Sequence, residues 1–434
     1  MIFLIVKYHL LNGEKIDNLN IKLNYNNSIV MDDNNKVVIN DLNEILLIPV
    51  DKLTSLQYLT FDESFNKPLY NSLDKLTSLQ QLTFGFDFDQ PLSNSLDKLT
   101  SLKHLTFGSY FNQPLSNSLI KLTSLEHLTF GSSFNKLLSN SLDKLTCLQH
   151  LTFGCEFNQP LSNSLVKLTS LQYLIFGYWF NQPLFNSLDK LTSLQYLIFD
   201  TYFNQPLSNS LDKLTSLQYL TFGNEFNQPL SNSLDKLTSL QHLTFGCEFN
   251  QILDNSLNKL TPLQCLTFGY RFNQPLTNSL DKLTLLQCLT FGWKFNQPLS
   301  NSLVKLTSLQ HLILCYNFNQ QLDLPSNIKY LVLDCNNQYN IDNLHNNIEE
   351  LTLKSNFNLE LDNLPSSIKK ITIKNKKYNK ELNNLPISVE YIILPLEYDK
   401  KILNIPKNLK EINCNKNYKF IDDFSNCQVS FIEE

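Results

Sequence analysis

A unit of 23 residues, LTSLQHLTFGxxFNQPLSNSLDK in consensus, recurs twelve times without a gap between residues 51 and 322. One phenylalanine keeps its beat, from Phe65, Phe88 and Phe111 through to Phe295 and Phe318. A fixed period of this length rules out a globule built around one centre and demands a stack of similar coils, each touching only its neighbours. Such a stack grows to 434 residues without needing a second core. It is also mostly surface, so binding along that surface is the expected activity.

One copy shows what each coil is made of. In Leu102-Lys103-His104-Leu105-Thr106-Phe107, Leu105 and Phe107 face one way and His104 and Thr106 the other, the alternation of a half-buried strand. Gly108 and two variable residues follow, then Phe111-Asn112-Gln113-Pro114-Leu115, where the proline favours a turning path and cannot donate to a ladder. Leu115, Leu119, Leu122 and Leu125 then return at spacings that suit a short helical or 3-10 segment. Strand, turn, short helix and return predict an α/β solenoid. The expected form is a leucine-rich-repeat-like curved horseshoe. A parallel β-sheet lines its concave face, and short helical, 3-10 or irregular segments its convex face. A lone coil cannot bury both sides of its leucine layer, so neighbours must cooperate and both ends need caps. The Asn after each Phe is expected to satisfy backbone groups in the turn.

Composition narrows the partners. The net charge of −5 comes with no basic tract, which argues against nucleic acid and against an anionic membrane. No apolar run approaches the ~20 residues needed to cross a bilayer. Met1 to Lys7 lacks a basic n-region, so it reads as a strand rather than a secretory leader. The nine cysteines include no CxxC pair, and several sit where a repeat column has drifted: Cys147 for Ser, Cys315 for Gly, Cys265 and Cys288 for Tyr or His. That pattern predicts free thiols in a reducing compartment and no metal site, hence an intracellular, cytoplasmic protein. No cofactor motif is present. Every His, Ser and Asp of note lies in a repeated column, so no enzyme is expected.

The FNQPL core preceded by LTFG resembles the FNIP repeat, a leucine-rich-repeat-like family known from cellular slime moulds and from giant DNA viruses of amoebae. The resemblance implies an interaction module, with a host-cell protein as partner if the chain is viral. Several members of the family resemble ubiquitin-ligase receptors with an F-box ahead of the repeats. Here residues 1–50 show a hairpin signal at 11–15 and strand-like Lys36-Val37-Val38-Ile39 rather than that helical pattern, so they are expected to form an N-terminal cap. Residues 51–322 supply twelve FNIP-type repeats. Residues 323–414 read as five shorter LPxxL-type repeats of about 20 residues, echoed in Leu324-Pro325, Leu364-Pro365 and Ile405-Pro406, and 415–434 as the C-terminal cap.

Two surfaces are candidates for binding. The pair of positions between Gly and Phe varies from copy to copy, and both tryptophans and the single arginine fall there. Tyr110, Tyr178, Trp179, Tyr202, Tyr270, Arg271, Trp293, Lys294 and Tyr316 would form a row along one rim of the sheet. Trp, Tyr and Arg are the usual anchors of protein interfaces. The second candidate is the outward column of the concave face, with His104, His127, His150, Tyr173, Tyr196, Tyr219 and His242. Metal is not expected there, because parallel side chains on a sheet do not converge on an ion. Two functions follow as expectations. The first is a non-catalytic protein-interaction scaffold of unspecified oligomeric state; the second is a ubiquitin-ligase receptor with a divergent or missing F-box.

Overall fold

The computed structural model describes residues 36–432 except 300, 355 and 356. The expected strand at 1–7 and hairpin at 11–15 lie outside the described residues. Nineteen strands form one sheet. The first six are β1 (Lys36–Ile39), β2 (Tyr58–Phe61), β3 (Gln81–Thr83), β4 (His104–Thr106), β5 (His127–Thr129) and β6 (His150–Thr152). Then come β7 (Tyr173–Phe176), β8 (Tyr196–Phe199), β9 (Tyr219–Thr221), β10 (His242–Thr244), β11 (Cys265–Thr267), β12 (Cys288–Thr290) and β13 (His311–Leu314). The last six are β14 (Tyr330–Leu333), β15 (Glu350–Leu353), β16 (Lys370–Ile373), β17 (Tyr391–Ile393), β18 (Glu411–Cys414) and β19 (Gln428–Phe431). Each pairs in parallel with the next in chain order, so His104 meets His127 and Leu105 meets Leu128, and so along the stack.

The sheet alternates as the pattern requires, Leu and Phe inward and His, Tyr, Thr or Gln half-exposed. Behind it the interior is a continuous phenylalanine and leucine core. Phe107 stacks on Phe111 of its own coil at 4.1 Å, and Phe111 on Phe134 of the next at 6.1 Å. Spacing between coils therefore depends on depth. Rings on the outer face of the sheet lie 4.3 Å apart at His104–His127, the strand phenylalanines 5.6 Å at Phe107–Phe130, and the deeper spine 6.1 Å. That widening over a layer of about 10 Å fans successive coils by roughly 10° each and makes the strand face concave.

Among the described residues the return path from β2 to β13 carries no helix. In one copy Ser95 N–H bonds Leu92 C=O at 2.8 Å, Asp97 bonds Asn94 at 3.1 Å, Leu99 bonds Leu96 at 3.0 Å and Leu102 bonds Leu99 at 3.0 Å. These are consecutive i→i+3 turns, which bring leucines inward at the same spacings as a helix but cover more distance per residue. The chain enters them through a left-handed residue, Ser93 at φ 46° and its equivalents from Tyr70 to Asp254, with Asn278 one place later in its coil. Among the described residues the short helices are α1 (Leu42–Leu47) and α2 (Val50–Leu53) beside β1 and α3 (Gln338–Asp342) between β14 and β15, with a 3-10 turn at Ile421–Phe424. Asp41 caps α1 by accepting from Asn43 N–H at 2.9 Å, and Ile45, Ile48 and Leu53 close the core behind the first coils.

Two features of the stack escaped the sequence reading. A Cβ placed on Gly154 would lie 1.8 Å from the carbonyl oxygen of Gly131 in the preceding coil, so nothing but glycine fits. The glycine is replaced at Asp62 after β2, Asp200 after β8 and Cys315 after β13. The asparagine column bonds between coils rather than within its own turn. Asn158 Oδ1 accepts Asn181 N–H at 3.0 Å and Gln182 Nε2 at 3.0 Å, and the pattern repeats from Asn66 to Asn296.

Candidate interaction surface

In-register pairing turns each outward column into a ladder. His104, His127, His150, Tyr173, Tyr196, Tyr219 and His242 stack ring on ring, each step 4.1–4.3 Å and within 17° of parallel. Half-burial of the rings disfavours their charged forms. It pulls His104, His150 and His242 below the ordinary histidine value. His127 is held at about 4, first by burial and then by the imidazoles on either side. Tyr196 is pushed up by burial and by its two tyrosine neighbours. The strip is thus uncharged at neutral pH, an apolar band edged with ring nitrogens and hydroxyls.

One acid touches it. Glu126, beside His127, pairs with Lys103 at 3.0 Å, and donor atoms of His104, Glu126 and His127 lie within 4.8 Å of one another. The two imidazoles are stacked, so their lone pairs run in near-parallel planes. Holding a cation between them would require one ring to leave the stack.

The rim is positioned by backbone. Trp179 N–H bonds Cys155 C=O at 2.8 Å, Tyr202 bonds Tyr178 at 3.0 Å and Lys294 bonds Tyr270 at 2.9 Å, so each variable pair is tied to the pair one coil before. The side chains then gather into two groups. Trp179 lies flat on Tyr202 at 4.4 Å, with Tyr178 edge-on to both. Further on, Trp293 stacks on Tyr316 at 4.2 Å and on Tyr270 at 6.0 Å, and Lys294 sits over Tyr270. Tyr110 stands apart from both groups, edge-on to Phe86 at 4.8 Å. Arg271 is partnered by Glu248 at 3.0 Å. Trp179 is 48% exposed and Trp293 40%, high values for residues that usually hide. Between the groups the rim carries Asn224-Glu225 and Cys247-Glu248. Beside the second group Arg271, Lys294 and the amides of Asn250, Asn273, Asn296 and Asn319 line an open recess of about 650 Å³. The variable pairs point to the rim residues, but the recess depends on amides 23 residues apart that no single copy places together.

A parallel stack of this kind is a leucine-rich-repeat-like solenoid. The FNIP Repeat family model matches residues 356–397, so this stretch carries an FNIP repeat. The match falls in the 20-residue coils, not in the FNQPL copies that suggested the resemblance. Both share the Phe–Asn pair and its ladder, Asn358 Oδ1 accepting Asn379 N–H at 3.1 Å. Among solved structures the chain resembles CroV588 of a giant virus, described as a novel circular leucine-rich-repeat protein. Identity is 28%, the TM-score 0.57, and 87% of this chain and 65% of that one are covered. The chain thus spans just under two thirds of that protein. The fold also matches Toll in the Drosophila Toll–Spätzle complex (14% identity, TM-score 0.54, covering 92% and 62%). It matches TLR13 in its complex with ssRNA13 as well (17%, 0.52, covering 91% and 66%). No curated protein matches the chain. Among the described residues no helix is long and apolar enough to cross a membrane.

Proposed function

We propose that the chain is a non-catalytic scaffold that holds a protein partner against its concave strip and aromatic rim. The observation that carries this reading is the pair of rim groups, where both tryptophans, four tyrosines and the sole arginine of the protein are held half-exposed on rigid backbone. Rigid aromatic anchors are what protein interfaces use, because little side-chain entropy is lost on docking. Toll offers the precedent of a similar solenoid in complex with a protein ligand. Nucleic acid fits less well, since the charged part of the concave face alternates in sign and Arg271 is already neutralised by Glu248.

In this reading residues 51–322 and 323–414 are one continuous binding stack, 1–50 and 415–434 cap it, and the protein works inside the cell, on a host protein if the chain is viral. A ubiquitin-ligase role would need residues 1–50 to engage an adaptor, and of these the described part packs as β1, α1 and the start of α2 onto the sheet. Proximity labelling in the host cell identifies the partner, and the triple change Trp179→Ser, Arg271→Ser, Trp293→Ser then tests the surface. Affinity should fall at least 30-fold, about 2 kcal/mol, with the fold intact by circular dichroism. Unchanged affinity would remove the rim from the interface.

A further inference from the structure

The concave ladder is interrupted in the middle of the long coils, and the break is chemical. After His242 the outward column reads Cys265 and Cys288 before rings return at His311 and Tyr330. β11 and β12 pair in register with Cys265 directly opposite Cys288. The neighbouring strands set His242 beside Cys265 and His311 beside Cys288. Both thiols are free and half-exposed on the open face of the sheet. We propose that Cys265 and Cys288 are a peroxide-reactive dithiol that closes into a disulfide across adjacent strands.

Geometry carries the proposal. Adjacent strands lie about 4.8 Å apart, at the lower end of the Cα separations a disulfide spans, and a flat sheet would leave the Cβ atoms slightly too far apart. Here the sheet is concave on this side, and the same column converges to 4.2 Å at Tyr219–His242 just before the pair and 4.2 Å at His311–Tyr330 just after it. That draws the Cβ atoms toward the range from which a bond of about 2.05 Å closes. Other exposed thiols lack this arrangement: Cys155 has Ser132 and Tyr178 in its column, and Cys247 has Asn224 and Tyr270.

The chemistry is asymmetric. The Cys265 thiol donates to Cys288 sulfur, which lowers Cys288 to about 7 and raises Cys265, so Cys288 is the nucleophile at neutral pH. Its thiolate attacks the terminal oxygen of a hydroperoxide, forming sulfenic acid and releasing alcohol, or water when the oxidant is hydrogen peroxide. Cys265 sulfur then attacks the sulfenic sulfur, expelling hydroxide that takes up the Cys265 proton as water. The neutral imidazoles of His242 and His311 stand in the same column to relay that proton. Two thiols and one ROOH give one disulfide, one ROH and one water. The product clamps β11 to β12 in the middle of the concave face and replaces two small donors with an apolar bridge.

Trypsin reads the outcome directly, because Cys265 and Cys288 fall in separate peptides, 260–271 and 283–294. The folded full chain is treated with one equivalent of hydrogen peroxide, alkylated and digested. The expected result is a cross-linked 260–271/283–294 species, two hydrogens lighter than the sum, as the dominant disulfide. Cys265→Ser should leave Cys288 as a sulfenic acid trapped by dimedone, and Cys288→Ser should abolish both products. In denaturant the same dose should scatter among all nine cysteines. Recovery of both peptides singly alkylated from the folded chain, or equal linkage to Cys247 and Cys315, would overturn the proposal.

Discussion

The 23-residue coils of β2–β13 and the 20-residue coils of β14–β18 share one sheet and one register, yet they solve the same stacking problem with opposite chemistry. In the long coils the main inter-coil ladders are uncharged and pair like with like: phenylalanine on phenylalanine, amide on amide, imidazole or phenol on the next ring. In the short coils the concave columns alternate in sign. Glu349 pairs with Lys329 at 3.3 Å and Lys369 at 2.9 Å, Glu390 with Lys410 at 2.6 Å, and Glu350 with Lys370 at 3.5 Å. The interior differs as well, since Tyr378 and Tyr398 donate their hydroxyls to Leu359 and Lys380 carbonyls at 3.1 Å each where the long coils have phenylalanine. The reason is repetition itself. Near-identical copies stacked in register place each residue opposite its own kind, and like charges directly opposite are unfavourable, so only self-compatible side chains survive on the closely spaced face. Diverged copies are free to alternate.

The largest difference between the two regions should appear at the glycine column. Gly154→Val drives a side chain into the Gly131 carbonyl, which the close-packed stack has no room to accept. We expect a loss above about 4 kcal/mol, read as a lowered melting temperature and as hydrogen exchange opening at β6. The matching change in a short coil, Lys374→Val, meets an extended strand whose Lys374 N–H already bonds Leu353 C=O at 2.8 Å, and should stay within about 0.5 kcal/mol. Equal effects at the two sites would mean that coil length does not set the close approach.

Next is the amide ladder. Asn158→Ala removes the acceptor for Asn181 N–H and Gln182 Nε2 together, leaving a part-buried backbone donor unpaired. Chemical denaturation should show a loss of about 1–3 kcal/mol. A loss below 0.5 kcal/mol would indicate that water replaces the amide and that the ladder is ornamental to stability.

The imidazole ladder gives a third contrast, one that only acid exposes. His127 sits at about 4 when folded against 6.5 when unfolded, so between those values the unfolded chain binds more protons. Its contribution is complete above pH 6.5 and is lost as pH falls toward 4. Replacing His104, His127 and His150 with Gln should flatten the fall in melting temperature across that window, by about 1 kcal/mol once solvent screening of half-exposed rings is included. Parallel pH profiles for the two proteins would sink the claim that burial and neighbouring rings hold the ladder neutral.

Much of this was legible in the residues, and the parts that were not have a common cause. The phenylalanine beat and the period-two alternation in Leu105-Thr106-Phe107 fix the stack, its parallel strands and which face is buried. The residues leave the return path open between a short helix and 3-10 turns, because Leu115, Leu119, Leu122 and Leu125 recur at spacings that both share, and the hydrogen bonds show the turns. Variable pairs such as Tyr178-Trp179 point to an exposed rim, but their grouping depends on contacts between coils, Trp179 with Tyr202, which no single copy contains. Glycine retained in nearly every long coil was the available signal for close approach.

The smallest expected effect concerns the left-handed residue that opens the turn run. All ten positive-φ residues other than glycine among the described residues lie between Tyr70 and Asn278, in the long coils, so this conformation goes with their three extra residues. Serine fills most of these positions, but Phe185 holds one at φ 42° while 72% exposed. A bulky side chain is strained there, and this one recovers little of that strain by burial. Phe185→Asn keeps the side chain off the core and suits the left-handed region, so stability should rise by about 0.5–1 kcal/mol in a denaturant melt. The same change at Ser208 should gain less, because serine is the smaller misfit. A loss at Phe185 would show that its ring makes stabilising contacts on the convex side, and the long coils would then owe their turn geometry to side-chain packing rather than to backbone preference.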